Sequence, residues 1–364
     1  MKLALLINSL AGGGAEKLVC DLALNYSQKK IDFDIIVLTD YEQIFHNTIT
    51  KKGINIITLS HGKQLFSVKL LLRLAKILEN YTTVHAHLFP SEYYASICGF
   101  LQPNLNVITT IHYTSTRRRT WMYRYLEKAI SSRVDTYISI SSSVENEAAK
   151  WLPEIKTKSV MINNGINIEL IENAPRFDRN SIGFNENDFI ILMTARFNKL
   201  KDHATLIKAI SLLPAKYKLA LAGTGEEISS AINLCDELNI SHRVSFLGFF
   251  DNIPSLLKTC DVAVLSSHSE GLPLSSIEAM AAGIPFLGSD IPTIREVVGR
   301  KQLLFNYMDP EDLARKIKMT CENSDFRSES ILYGKKRVKL FSIDKIADRH
   351  IDLYFKNSYR QELL

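Results

Sequence analysis

Two glutamates eight residues apart, Glu270 and Glu278, bracket the segment of this chain best suited to ligand chemistry, Glu270-Gly271-Leu272-Pro273-Leu274-Ser275-Ser276-Ile277-Glu278. Proline is favoured in the first turn of a helix because its missing N–H has no intrahelical partner there. The segment therefore predicts a loop carrying Glu270, a helix opening at Pro273, and Glu278 in the early turns of that helix. Backbone N–H groups and the positive end of the dipole at such a start suit a phosphate. The two carboxylates can accept hydrogen bonds from hydroxyl groups on either side of it. One ligand made of a sugar, a diphosphate and a second sugar meets all three demands, which is the description of a nucleotide-sugar.

Other segments carry compatible chemistry. Arg196, Lys199 and Lys201 follow a strand-like run at 189–194. An arginine can grip a diphosphate as a planar fork and a lysine as a point charge; a solvated basic loop has the same composition. The run Gly12-Gly13-Gly14-Ala15-Glu16 lies between a strand-like and a helical segment, where glycines permit positive φ and close approach of a ligand. A tight structural turn reads identically. His112 sits at the end of the strand-like run 107–111, and ligands collect at the carboxyl ends of strands in open α/β sheets. A structural histidine fits there too. Ala222-Gly223-Thr224-Gly225-Glu226 and Phe246-Leu247-Gly248-Phe249-Phe250 are two more strand-to-loop transitions.

In this order, over nearly the whole chain, these segments resemble the large group 1, family-4 type of retaining glycosyltransferases with the GT-B fold. That family includes the mannosyl-, glucosyl- and N-acetylhexosaminyl-transferases of bacterial glycan assembly. The resemblance implies that Gly13, Gly14 and Glu16 face the donor's phosphate and sugar, and that His112 approaches the donor sugar. It implies that Arg196 and Lys201 act on the leaving diphosphate, with Ala195 standing where the family has glycine. Glu270 then orients the transferred sugar and Glu278 takes the ribose hydroxyls, with Gly271, Leu272, Pro273, Leu274 and Ser275 between them. Gly223, Gly225 and Glu226 form a turn at the donor, and the segment around Gly248 lines the base. No cofactor and no metal are implied; the donor is a substrate, UDP-linked by preference, and the transferred group a hexose or N-acetylhexosamine. The implied acceptor is a glycan, lipid-diphosphate-linked, in surface polysaccharide, O-antigen or capsule assembly. A GT-B epimerase or phosphorylase, or a non-catalytic sugar-nucleotide-binding subunit, are the competing functions, because fold alone does not fix chemistry.

Elements able to position these residues recur along the sequence. Strand-like runs at 3–7, 35–38, 54–59, 84–86, 107–111, 136–140 and 160–162 alternate with helical periodicity, as in a doubly wound parallel sheet. The polar stretch 172–181 interrupts the rhythm and reads as a linker. The pattern restarts at 189–194, 217–222, 244–247, 262–265 and 284–287. At 364 residues, the chain exceeds what one core usually organises. The expectation is an α/β, GT-B architecture, two Rossmann-like αβα domains with parallel sheets facing across a cleft. They span 1–170 on the acceptor side and 178–341 on the nucleotide-sugar side; by resemblance, a C-terminal helix at 342–364 crosses back to the first.

Composition narrows the setting. No apolar run approaches the ~18 residues of a membrane span, and the apolar start of the chain ends at Asn8, short of a signal peptide. Five scattered cysteines without C-x-x-C spacing suit free thiols in a reducing cytosol. Residues 1–177 carry 20 Lys+Arg against 15 Asp+Glu, whereas 178–364 carry 24 against 24. The whole excess therefore lies in the first half, which suggests an anionic surface or substrate there. Lys69, Arg73 and Lys76 form a basic stripe on an apolar helical segment, compatible with a surface helix covering the sheet and with one lying in an anionic lipid interface. Arg117, Arg118 and Arg119, with Trp121, Tyr123 and Tyr125, suit phosphates or a bilayer surface equally. A cytoplasmic protein, peripheral on the inner face of the membrane, is expected. No nucleic-acid motif accompanies the charge. Asp32-Phe33-Asp34 has the D-x-D form of a metal site but precedes its strand instead of following it.

Overall fold

The computed structural model describes residues 1–113 and 121–362. They divide into two compact units, Met1–Gly165 with Ile343–Leu364, and Ile166–Ser342.

The first unit is built on seven parallel strands, β1 (Leu3–Ile7), β2 (Phe33–Thr39), β3 (Ile56–Ser60), β4 (Thr83–His87), β5 (Asn106–Ile111), β6 (Thr136–Ser139) and β7 (Ser159–Met161). They lie in the order β3-β2-β1-β4-β5-β6-β7. Every residue of β1 is buried, as expected of a central parallel strand covered on both faces, which reads as a continuous apolar run. The order reverses direction between β1 and β4, the switch point at which a crevice opens beyond the strand ends. Helix Ile343–Glu362 belongs to this unit. Its Ile343, Ile346 and Ala347 join the core around β1 and β2, and the Tyr354 and Tyr26 hydroxyls meet at 3.1 Å. Gly165 makes that packing possible, because a Cβ there would lie 2.9 Å from the backbone of Ile343.

The second unit has six parallel strands, β8 (Phe189–Thr194), β9 (Tyr217–Ala222), β10 (Val244–Gly248), β11 (Val262–Leu265), β12 (Phe286–Ser289) and β13 (Leu304–Phe305). Their order is β10-β9-β8-β11-β12-β13, with the switch point between β8 and β11. The two residues of β13 are too few to leave a periodic signal. The polar stretch 172–181 lies inside this unit, since the chain passes from one unit to the other at Gly165–Ile166. Its polar groups fasten it down: the Phe177 N–H donates to Thr259 Oγ1 at 2.8 Å, and the Arg179 guanidinium pairs with Asp261 at 3.2 Å. Polarity in that stretch marks anchoring, not detachment.

The D-x-D pair is structural on its second member. Asp34, buried in β2, accepts hydrogen bonds from Asn55 at 2.7 Å and from Tyr81 at 2.5 Å, beside Lys2 at 3.2 Å. Burial pushes its carboxyl up, but the hydrogen bonds from Tyr81, Asn55 and Lys2 outweigh this and hold it below the usual range. All five cysteines are free and buried. Among the described residues no helix is long and apolar enough to cross a membrane.

Candidate active site

In the second unit the loops after β8 and β11 meet at the switch point. Lys201 Nζ and Glu270 Oε1 form an ion pair at 2.6 Å, with side chains 24% and 9% exposed. Ser267 Oγ donates to the same carboxylate oxygen at 2.5 Å, so both contacts fall on Oε1. The loop holding Lys201 is itself anchored, because Asn198 caps a short turn at Leu200 and Asp202 caps helix His203–Ser211 through Thr205. Ser266 Oγ donates to the Asp202 carbonyl at 2.8 Å, and the His268 N–H to the Leu200 carbonyl at 2.7 Å. The two loops are thereby tied once through the Ser266 side chain and once backbone to backbone. His203 stacks on Phe197 with ring centroids 4.0 Å apart, and burial together with the Lys201 charge lowers its pKa to about 4.

Beyond Glu270 the chain enters helix Leu274–Ala281, with Pro273 at the capping position and no side chain capping the start. The helix therefore opens one residue later than the sequence suggests. Ser276 Oγ instead donates to the Pro273 carbonyl at 2.6 Å. Leu272 and Pro273 are buried, whereas Gly271, Leu274, Ser275 and Glu278 are half-buried. Arg196 is exposed on the loop after β8, and its neighbour Ala195 is held by the Ala222 carbonyl at 3.0 Å.

Glycine is required at the adjoining turn. Gly223 and Gly225 have φ of +150° and +153°, values open essentially to glycine alone. A Cβ on either would run into the carbonyl oxygen of Ala195 or Phe197. Their absence of side chains lets the end of β9 lie directly against the Arg196 loop. Glu226 is exposed beyond them, and the Gly223 N–H reaches the Gly248 carbonyl at 2.7 Å. Arg196, Gly223, Gly225, Gly248, Lys201, Glu270 and the start of the Glu278 helix thus gather at the carboxyl end of one sheet, in one unit.

In the first unit the glycine loop departs from expectation. None of Gly12, Gly13 and Gly14 takes a positive φ. Gly13 serves as the cap of helix Gly14–Gln28, and the Glu16 side chain folds over the space a Cβ would fill. Close approach, not handedness, is the reason for glycine there. His112 leaves β5 half-buried, and its Nε2 lies 3.0 Å from His87 Nδ1 at the end of β4. His87 in turn packs against His85, ring centroids 4.2 Å apart, and His85 against His350 of the C-terminal helix at 5.6 Å. Burial, followed by the neighbouring His350, takes His112 down to about 3, and burial lowers His350 to about 4. His85 and His87 lie well below the ordinary range for the same first cause. All four rings are therefore neutral at neutral pH.

Sequence reasoning missed His85, His87, His350, Ser267, Asp202 and His203 as site neighbours. His85 and His87 did leave a signal, since alternation by two at a strand end places both on one face. Ser267 left none, because a serine three residues before Glu270 is unremarkable. The arginines at 117–119 lie outside the described residues. Among the described residues no group of three or more His, Cys, Asp or Glu could hold a metal ion.

Residues 12–170 match the family model Glycosyltransferase Family 4, and residues 175–337 match Glycosyl transferases group 1. The chain belongs to the group 1, family-4-type glycosyltransferases. Its fold is GT-B, with two Rossmann-like units. One relative of this glycosyltransferase is MJ1607 of Methanocaldococcus jannaschii, an uncharacterised glycosyltransferase 27% identical over 76% of each chain. Another is the Escherichia coli UDP-Gal:alpha-D-GlcNAc-diphosphoundecaprenol alpha-1,3-galactosyltransferase, 26% identical over 79% of this chain and 80% of that one. The crystal structure of Anabaena HepE in complex with UDP and glucose is similar at a TM-score of 0.87 and 19% identity, covering 98% of this chain and all of the other.

Proposed function

We propose that this glycosyltransferase moves a hexose or N-acetylhexosamine from a UDP-sugar to a lipid-linked glycan acceptor in bacterial surface polysaccharide assembly, with retention at the anomeric carbon and without a metal. The observation that carries the donor reading is the Lys201–Glu270 ion pair at the switch point of the second unit's sheet. A charged ligand entering there meets an ammonium already held in place, beside an uncapped helix start. Arg196 and Lys201 stabilise the negative charge that develops on the leaving diphosphate, assisted by the amides of that helix. Such preorganised electrostatics is usually the largest catalytic contribution. Glu278 accepts from the ribose hydroxyls and Glu270 orients the transferred sugar. The donor phosphate itself helps deprotonate the acceptor, so neither carboxylate acts as a covalent nucleophile.

UDP is favoured because the HepE structure holds it and the Escherichia coli relative is named for a UDP-sugar. That relative's name also specifies a diphosphoundecaprenol-linked acceptor, which supports a lipid-linked acceptor here. Helix Val68–Leu78 adds a means of reaching one: it buries Leu70, Leu74 and Leu78 while Val68 and Leu72 stay 72% and 61% exposed beside the exposed Lys69 and Lys76. An apolar face edged with cations suits an anionic lipid interface, and would hold a cytoplasmic chain on the inner face of the membrane.

A thermal-shift screen against UDP-, GDP- and ADP-sugars tests the donor. Selective stabilisation of ~2.7 kcal/mol by a UDP-sugar at about 100 times its dissociation constant is expected; selectivity for GDP or ADP overturns the nucleotide assignment. Transfer insensitive to a chelator, with a product of unchanged anomeric configuration, is the expected companion result.

A further inference from the structure

His87 lies at the end of β4, wholly buried, with Nδ1 3.0 Å from His112 Nε2. Neither ring is charged at neutral pH, so one of the two nitrogens must carry the proton they share and the other must accept it. The second nitrogen of His87 decides which. Its Nε2 is buried without a hydrogen-bond partner. If His112 donated, His87 would carry its own proton on Nε2, and a polar N–H would be buried with nothing to receive it. If His87 donates from Nδ1, only a lone pair is left unmatched. Orphaned buried N–H groups are rarer than under-used acceptors, because an unpaired buried donor keeps its full desolvation penalty.

The neighbouring ring fixes this arrangement in place. His85 has both nitrogens engaged, with the Tyr354 hydroxyl and with Thr110 Oγ1, each at 2.7 Å. It therefore cannot turn to offer His87 Nε2 a partner, and its face holds the His87 ring at 4.2 Å.

We propose that His87 is a positioning residue whose Nδ1–H fixes His112 as its Nδ1–H tautomer, so that His112 meets a hydroxyl oxygen of the transferred sugar as a hydrogen-bond donor. The second nitrogen of an imidazole is set by what the first one does, and His112 Nδ1 makes no hydrogen bond among the described residues. A donor at that point grips the sugar and cannot take a proton from the acceptor. This rests on the reading of His112 as a donor-sugar contact.

The test reads the tautomer directly, without substrate. Long-range proton–nitrogen correlation spectra of the full chain labelled with nitrogen-15 histidine, assigned with His112→Gln, report which ring nitrogen carries the proton. The expected result is a pyrrole-type Nδ1 and pyridine-type Nε2 for His112 in the unaltered chain. His87→Asn, which keeps an N–H donor near the same place, retains that pattern, and His87→Leu moves the proton to Nε2. A pyrrole-type Nε2 in the unaltered chain overturns the proposal, and the unaltered chain decides it even where His87→Leu does not fold. A His112→Ala chain that transfers sugar at the unaltered rate sinks the underlying reading of His112 instead, since the tautomer measurement is independent of it.

Discussion

At the switch point of the second unit a lysine and a glutamate are held 2.6 Å apart and partly wetted, whereas the corresponding strand ends of the first unit hold imidazoles that are buried and uncharged. A largely buried ion pair contributes little net stability because desolvation offsets its attraction, and it can exchange one partner for a charged ligand. Buried neutral rings offer only directional hydrogen bonds, and any charge placed on them is strongly penalised. The two units thus differ in chemical kind, with fixed charge at the strand ends of one and neutral imidazoles at those of the other; under the proposed function these suit an anion and an uncharged sugar.

Acid should break this contrast most visibly. His85, His87, His112 and His350 all have folded pKa values below the ordinary 6.5, so the unfolded chain binds more protons below that pH. Stability therefore falls as pH drops from 6.5 towards the folded values, each histidine adding to the slope. The second unit has one such group with a resolved shift, His203. Hydrogen exchange between pH 7 and 5 should show the first unit losing protection much faster than the second, and His350→Gln should lessen the difference. Equal loss in both units contradicts the contrast.

Next in size is the backbone of the charged site. Gly225→Ala forces a side chain against the Phe197 carbonyl at a φ of +153°, which should cost about 3 kcal/mol in urea unfolding of the second unit. Gly53→Ala, also at positive φ but with nothing nearby, should cost about 1 kcal/mol.

A smaller effect sharpens the role of the ion pair. Lys201→Ala strands the nearly buried Glu270 carboxylate and should destabilise the chain by about 2 kcal/mol. Adding Glu270→Gln should recover most of that stability while leaving sugar transfer lost. Recovery of transfer along with stability would mean that the pair only holds the loops together.

Much of the frame was legible in the sequence because central parallel strands buried on both faces read as near-continuous apolar runs, as Leu3–Ile7 and residues 190–193 do. The candidate donor loops were legible because Gly223 and Gly225 are residue types that their backbones demand, and because Pro273 stands at the helix start. Pairings across the sheet were not. Nothing in the sequence says that Lys201 meets Glu270, 69 positions away, or that His350 stacks on His85. Those contacts follow from strand order and helix docking, which local pattern does not encode. The stretch 172–181 misled for a related reason, since its polar side chains find partners such as Asp261 that only the folded unit brings near.

The most direct measurement is kcat/KM for sugar transfer by Arg196→Ala, Lys201→Ala and Glu270→Gln, beside the unaltered chain with its preferred nucleotide-sugar. Loss of charge stabilisation on the departing diphosphate predicts a fall of about 100–1000-fold for Arg196→Ala and Lys201→Ala, and a clear fall for Glu270→Gln. Unaltered rates in all three contradict the assignment of this loop cluster as the place where the sugar is transferred.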